Sequence, residues 1–385
     1  MNICLTVNYS PWSRYYGGGQ IVVHNLARHL SETGHKIFVV YAAYPVIKPG
    51  DDVNYQILWA RNFGRYIPEG RVLNIFSVFR RVQKLLSQTH IDIVHGNGDE
   101  AALLHLAAKK HGCRFVMTAH RLYPRLSLTG SLKRTRGRLY REIPMFLQRH
   151  AYEKAEKVFT VSHYARENLS ANLGISAQKI EVIYNAVNDY FFTIARHGEQ
   201  DKINLTFWGR LAPGKGIDTL LRALAIAGKK SQKEMCLSII GEGLNKHKVE
   251  FWRLTKILGL SDRVSFIPRL SHNEMSKILA KTHLCLFPTQ SESFGLTVAE
   301  ALAAGIPTIS TTATSIPEII THGETGILVT PNDPEVLAEQ ILYALDNYPE
   351  MERIAQAGKH RVASEFTWDK VAAKYSLAYE RLLRN

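Results

Sequence analysis

No apolar run in the 385-residue chain is long enough to cross a bilayer. The opening residues MNICLTVNYS lack the basic stretch of a secretory signal and read as a buried strand, so no export signal is expected. Cysteine is scarce. Cys4, Cys113, Cys236 and Cys285 stand too far apart in sequence for a metal or redox motif, so buried thiols in a reducing, cytoplasmic compartment are the expectation. There is no Asp-x-Asp motif and no His/Cys ligand cluster, and no metal or other cofactor is expected. G-x-G-x-x-G, the dinucleotide fingerprint, is missing. Short-period repeats and low-complexity tracts are absent too. Acidic residues are outnumbered 34 to 48 by Lys and Arg, which leaves a net charge of +14 and a pI near 9.5. That balance suits an anionic partner: a nucleic acid, a membrane surface or a phosphorylated ligand.

What is present is a globular composition, 45% hydrophobic and 21% charged, long enough for two domains. MNICLTVNY, HKIFVVYAA, IDIVHGN and CRFVMTAH read as strands, with helices GGQIVVHNLARHLSETG and EAALLHLAAKKHG between strands. The apolar runs are continuous rather than alternating, the mark of parallel strands covered on both faces. The pattern restarts after residue 200 with INLTFWG, MCLSIIGEG, RVSFIP, LCLFPT and PTIST. The chain therefore reads as α/β, with two Rossmann-like doubly wound domains over 1–195 and 196–368 that face a central cleft. The boundary falls in the polar stretch from Ala195 to Lys202, and residues 369–385 form an amphipathic helix. Ligands of such sheets sit beyond the carboxyl ends of the strands.

Three stretches lie there. In LCLFPTQSESFGLTVAEALAAGIPTIS a strand ends near Pro288, a loop carries Glu292, and Gly295-Leu296 opens a helix bearing Glu300. Free amides and the dipole at that helix start form an anion site. Glu300 suits a pair of vicinal hydroxyls, as on a ribose, and Glu292 suits hydroxyls of a sugar beyond the phosphate. Taken alone, Glu300 also fits as a complement to the helix dipole and Glu292 as a solvated carboxylate. In TFWGRLAPGKGIDTLLRAL the loop after a strand carries Arg210 and Lys215, a fork and a point charge suited to a diphosphate, or else two solvated loop cations. In YSPWSRYYGGGQ, Gly17, Gly18 and Gly19 permit backbone contact with a phosphate or acceptor, or make a plain turn.

The ESFGLTVAEALAAGIPTI stretch, two glutamates with seven residues between them around an SFG core, resembles the signature of the family 4 retaining glycosyltransferases of GT-B fold. The resemblance covers nearly the whole chain. It implies that Glu292, with Phe294 and Gly295, contacts the donor sugar and that Glu300 binds the ribose. It also implies that Arg210, Lys215, Gly18, Gly19, Gly295 and Leu296 meet the donor phosphates. Gly241 and Ile267 fall beside the nucleotide base. His120 approaches the donor sugar and, with Glu292, is the catalytic candidate. Ser162 and Asn185 resemble paired elements at the domain junction. The chain departs from the family pattern at Arg121, often Asp, at Ala186, usually Gly, and at Pro268-Arg269. Implied are an acceptor-binding first domain, onto which the last helix packs back, and a nucleotide-sugar-binding second one. The implied chemistry is retaining, metal-independent hexosyl transfer by front-face attack, as in polysaccharide or glycolipid biosynthesis. A UDP-sugar is the expected donor, UDP-glucose first. A nucleotide-sugar epimerase of the same architecture is the alternative. No nucleic-acid module is recognisable, and two carboxylates at the expected site oppose a nucleic-acid partner.

Between Arg121 and Arg141 lie Arg125, Lys133, Arg134, Arg136 and Arg138, interleaved with Leu126, Leu128, Leu132 and Leu139. A basic segment with apolar neighbours suits the anionic inner face of a membrane, hence a lipid-linked saccharide acceptor and a peripheral location; a solvated loop or a pocket for a soluble anionic acceptor is the other reading.

Overall fold

The computed structural model describes residues 1–13, 17–42, 53–63, 68–124, 135–196 and 202–384. The chain divides into two compact units, Met1–Asn185 with Trp368–Asn385, and Ala186–Thr367.

The first unit is built on β1 (Asn2–Val7), β2 (Lys36–Tyr41), β3 (Gln56–Trp59), β4 (Ile93–Gly96), β5 (Arg114–Ala119), β6 (Lys157–Thr160) and β7 (Ile180–Val182). They form one sheet in the order β3-β2-β1-β4-β5-β6-β7, every pairing parallel. Its helices are α1 (Gly18–Glu32), α2 (Pro68–Gln88), α3 (Leu104–His111), α4 (Thr135–Lys154) and α5 (His163–Leu173). The central strands are apolar without alternation because both faces are covered: Ile3, Cys4, Leu5 and Val7 are all buried. Helices α3 and α5 each stop at a left-handed glycine, Gly112 and Gly174.

The second unit repeats the plan. Strands β8 (Ile203–Trp208), β9 (Met235–Ile240), β10 (Val264–Ile267), β11 (Leu284–Phe287), β12 (Thr308–Thr311) and β13 (Ile327–Val329) form a parallel sheet in the order β10-β9-β8-β11-β12-β13. Helices α6 (Ile217–Lys230), α7 (Asn245–Ile257), α8 (His272–Leu279), α9 (Leu296–Ala303), α10 (Pro334–Asp346) and α11 (Tyr348–Glu365) accompany it. A capping box between Ser271 and Glu274 starts α8, and Asp333 followed by Pro334 starts α10. Residues 186–195 belong to this unit, where Phe191 stacks on Trp208 with 6.5 Å between ring centroids and Val187 donates to the Phe366 carbonyl at 2.8 Å.

The last helix, α12 (Trp368–Arg384), belongs to the first unit. Trp368 stacks on His29 at 5.7 Å, Ser376 pairs with His35 at 2.8 Å, and Arg381 donates to Glu181 at 2.7 Å. Deeper, the Tyr379 hydroxyl meets His95 Nδ1 at 2.6 Å, while His95 Nε2 meets the Thr118 hydroxyl at 2.7 Å. Burial pushes the His95 imidazole down to about 3, so it stays neutral and needs a partner on each nitrogen. Cys4, Cys113 and Cys285 are free and buried, and Cys236 is free and half-buried. Among the described residues no helix is long and apolar enough to cross a membrane.

Replacing Tyr379 by Phe keeps the packing volume but strands His95 Nδ1 in an apolar setting. The expected loss is about 1–3 kcal/mol from the first unit, the cost of an unpaired buried polar group. Urea denaturation of the full chain followed by circular dichroism measures it; an unchanged midpoint would mean that the hydroxyl contributes nothing to docking α12.

Candidate functional site

The polar residues of the second unit gather where its strands end. Two loops there lie backbone against backbone. Gly241, just past β9, has φ +146°, and a Cβ on it would stand 1.9 Å from the Gly209 carbonyl oxygen. The Leu211 amide donates to the Glu242 carbonyl at 2.8 Å, and the Gly241 amide donates to the Ile267 carbonyl at 2.9 Å. Ile267, at the end of the edge strand β10, is half-buried and thus joined to the same cluster of loops.

The loop after β8 carries Arg210 and Lys215. Arg210 is exposed and has no ion-pair partner among the described residues. Lys215 is largely enclosed, and its Nζ lies 2.5 Å from Glu292 Oε1, with the two side chains 22% and 15% exposed. Glu292 is fixed from several directions. Its amide donates to the Thr314 hydroxyl at 2.8 Å, and that hydroxyl donates to the Glu292 carbonyl at 2.8 Å. Thr314 holds φ +50°, uncommon for a side chain branched at Cβ. Ser315 donates to the carbonyls of Glu292 and Phe294, and Thr289 donates to Glu292 Oε1 at 3.2 Å. The loop after β11 is thereby stapled to the loop after β12.

Helix α9 starts at Gly295, whose φ of +100° and whose missing side chain are both required: a Cβ would stand 2.6 Å from Ile316 Cδ1. The amides of Leu296 and Thr297 donate to no group among the described residues, so the positive end of the helix stays open. Glu300, half-buried on the same helix, accepts a hydrogen bond from Trp208 Nε1 at 2.8 Å. Burial pushes its carboxyl up to about 7, against the opposing pull of Trp208 and of the Arg269 charge. Tyr190 stands within electrostatic reach of Glu300, and its ring stacks on His272 at 4.2 Å. The side chain of Phe294 turns inward: it is 2% exposed and packs edge-on against Phe366 at 5.5 Å, leaving its backbone at the loop. Sequence reading missed Trp208, Tyr190 and Arg269; only the position of Trp208 two residues before Arg210 pointed its way.

In the first unit, the chain positions after β1, β4 and β5 are level, since Thr6 pairs with Gly96 and Gly96 with Met117. His120 lies at this edge. Its Nε2 contacts Asn97 Oδ1 at 2.9 Å, and burial takes the imidazole down to about 4. Gly19, in the first turn of α1 after Gly18, faces the His120 side chain, which would lie 3.8 Å from a Cβ there. Beside it, Asn8 donates to Asp99, and the Glu100 carboxyl accepts from Thr6 at 3.1 Å; burial and Asp99 push Glu100 up to about 8. Arg121 donates to Gln148 at 2.8 Å and lies over the Tyr123 ring at 4.9 Å. Ser162 is buried as the N-cap of α5, accepting from the Ala165 amide at 2.9 Å, and Asn185 is the half-buried last residue before the second unit. Asn97, Asp99 and Glu100 were missed in sequence, although NGDE directly follows β4. Among the described residues no group of three or more His, Cys, Asp or Glu is placed to hold a metal ion.

The model of Glycosyltransferase Family 4 matches residues 16–190, and that of Glycosyl transferases group 1 matches residues 191–361. The gpi3 subunit of phosphatidylinositol N-acetylglucosaminyltransferase from Schizosaccharomyces pombe is 24% identical over 95% of this chain and 78% of its own length. Sucrose-phosphate synthase from Thermosynechococcus elongatus superposes with a TM-score of 0.81 at 19% identity, covering 100% of this chain and 99% of its own. Anabaena HepE, solved in complex with UDP-glucose, superposes at 0.76 with 18% identity, covering 99% of this chain and 100% of its own. With the two family models meeting end to end along the chain and both units folded as parallel Rossmann-like sheets, the protein belongs to the family 4, group 1 glycosyltransferases of GT-B fold.

Proposed function

We propose that the chain moves a hexose from a UDP-sugar to a saccharide or lipid-linked saccharide, with retention and without a metal ion. The observation that carries the donor half is the Lys215–Glu292 pair beside the exposed Arg210 and the open start of α9. A diphosphate entering there replaces one partner for each: Lys215 turns to phosphate, and Glu292 is released to sugar hydroxyls. Arg210, Lys215 and the α9 amides neutralise charge that grows on the leaving phosphate as the sugar–phosphate bond breaks. The acceptor oxygen bonds to the anomeric carbon on the same face, and its proton passes to the departing phosphate. Glu300 takes the ribose hydroxyls. UDP-glucose is the first donor to test, in keeping with the UDP-glucose complex of HepE; an N-acetylglucosamine donor is the second, in keeping with the name of the gpi3 relative.

Calorimetry with UDP, GDP and ADP tests the donor. UDP is expected to bind and the others weakly; tight GDP or ADP binding without UDP binding would overturn the base assignment. Arg210→Ala and Lys215→Ala should each weaken UDP by about ten- to a hundredfold, since a hydrogen bond to a charged group contributes about 1.5–3 kcal/mol. Glu292→Ala should lower turnover far more than UDP affinity. Activity should survive EDTA, and strict metal dependence would count against the metal-free step.

Glu300 also predicts a pH profile. Its carboxyl, raised to about 7, is part-protonated near neutrality, whereas ribose hydroxyls donate best to the ionised form. UDP binding should therefore expel a proton and strengthen as pH rises from 6 to 8, levelling above the folded pKa. Glu300→Gln should flatten the profile. An equally steep profile in that variant would show that another group titrates.

The acceptor half rests on a different surface. Of the basic segment, Arg125, Lys133 and Arg134 lie outside the described residues, and Arg136, Arg138 and Arg141 lie in α4. Exposed apolar side chains occur on α4, at Phe146, and on α2, which packs against it, at Leu73 and Phe76. Together they suit a peripheral site on the inner, anionic leaflet, where each nearby cation contributes about 1 kcal/mol. Cosedimentation with anionic vesicles at low salt should fall in a variant with Lys133, Arg134, Arg136 and Arg138 neutralised; identical behaviour of that variant would remove this reading.

A further inference from the structure

Helix α7 in the second unit buries Phe251 and Thr255 and turns an unusual face outward. Val249 and Trp252 are each 54% exposed and Ile257 is 73% exposed, on a helix whose solvent side has no apolar role in the core. At about 100° per residue these three share one side of the helix with Lys246, Arg253 and Lys256, all exposed. Lys256 Nζ sits 3.8 Å from the centre of the Trp252 ring, so cation and indole form one amphipathic unit. The acid on this side is Glu250, whose carboxylate lies 3.4 Å from His247. Neighbouring elements add more cations than acids. Helix α6, packed against α7, ends in exposed Lys229 and Lys230, and exposed Asp262 and Arg263 follow α7.

We propose that this face of α7 is a docking surface for an anionic lipid bilayer, a contact of the second unit that is separate from the basic segment of the first. Charge decides the occupant: the face carries three cations against one acid. Trp flanked by Lys and Arg settles at the level of lipid headgroups, the indole in the boundary and the long cationic side chains reaching to phosphate. None of these residues belongs to the donor machinery, so the surface is separable from nucleotide binding.

The test is flotation of the full chain with vesicles of phosphatidylcholine and phosphatidylglycerol in a ratio of about 4:1, against phosphatidylcholine alone, at low and high salt. Neutralising Lys246, Arg253 and Lys256 to Gln should lower the partition coefficient by about a hundredfold, each cation accounting for about fivefold. High salt should remove most binding to the wild type. Brominated lipid should quench Trp fluorescence in the wild type and less in Trp252→Phe, a readout specific to α7. All substituted side chains face solvent, so unchanged melting and UDP affinity should accompany the loss. Partition that is insensitive to the α7 variant but abolished by neutralising Lys133, Arg134, Arg136 and Arg138 would overturn the proposal and leave the acceptor reading standing. Loss in the α7 variant alone would do the reverse. A concentration-dependent dimer that dissociates in the α7 variant, without lipid binding, would assign the face to a second copy of the chain and overturn it as well.

Discussion

A parallel strand covered on both faces leaves almost no room for an ionisable side chain. That constraint puts most of the candidate site residues beyond the strand ends. In β11 all four residues, Leu284 to Phe287, are buried, and Glu292 appears only after the strand has ended. The buried stretches Leu205–Trp208 of β8 and Phe115–Ala119 of β5 likewise hold no ionisable residue, and Arg210 and Lys215 follow the one, His120 and Arg121 the other. Hydrophobic burial builds the two sheets. Polar groups are driven to the strand ends, where backbone groups, hydroxyls and a helix start supply their partners.

The loops then impose order on those groups. Close backbone approach at Gly241 and the left-handed turn at Gly295 are steric requirements, and Thr314 and Ser315 fasten the Glu292 loop to its neighbour. The result is a site in which Lys215, Glu292 and Glu300 already have protein partners while Arg210 stays exposed. Lys215 and Glu292 neutralise one another, which avoids leaving either charge enclosed and unpaired. Glu300 avoids the same cost by a raised pKa and a single hydrogen bond from Trp208. Under the proposed function both arrangements give way to a ligand, and this supports assigning the donor to the second unit. In the first unit, His95, His120 and Glu100 are kept neutral by burial, so its strand-end cluster is predominantly a network of hydrogen bonds with Asp99 and Arg121 as the charged members.

Much of this was legible in the sequence because it depends on local pattern. The six-residue strands β1, β2, β5, β8 and β9 are predominantly apolar, and the motif from Glu292 to Glu300 has a spacing set by one loop and one helical turn. Strands β3, β6, β7 and β13, three of them at sheet edges, were not read from the sequence; they have three or four residues each, and a neighbouring strand supplies their ladder. Phe294 shows the limit of a motif: its position follows from the chain, but the direction of its side chain follows from packing against Phe366.

The sequence by itself determined the class of fold, the restart of the pattern in a second unit, and the residue types at the strand ends, since burial periodicity, glycine and charge are written along the chain. Tertiary structure alone decided the pairings. Trp208 and Glu300 are 92 residues apart, Lys215 and Glu292 are 77 apart, and His95 and Tyr379 are 284 apart. It also decided that residues 186–195 join the second unit and that Trp252 and Ile257 remain outside the core. The physical reason is the same in each case. A side chain's partner and its protonation are properties of the space around it, and that space is assembled from segments that no local pattern connects.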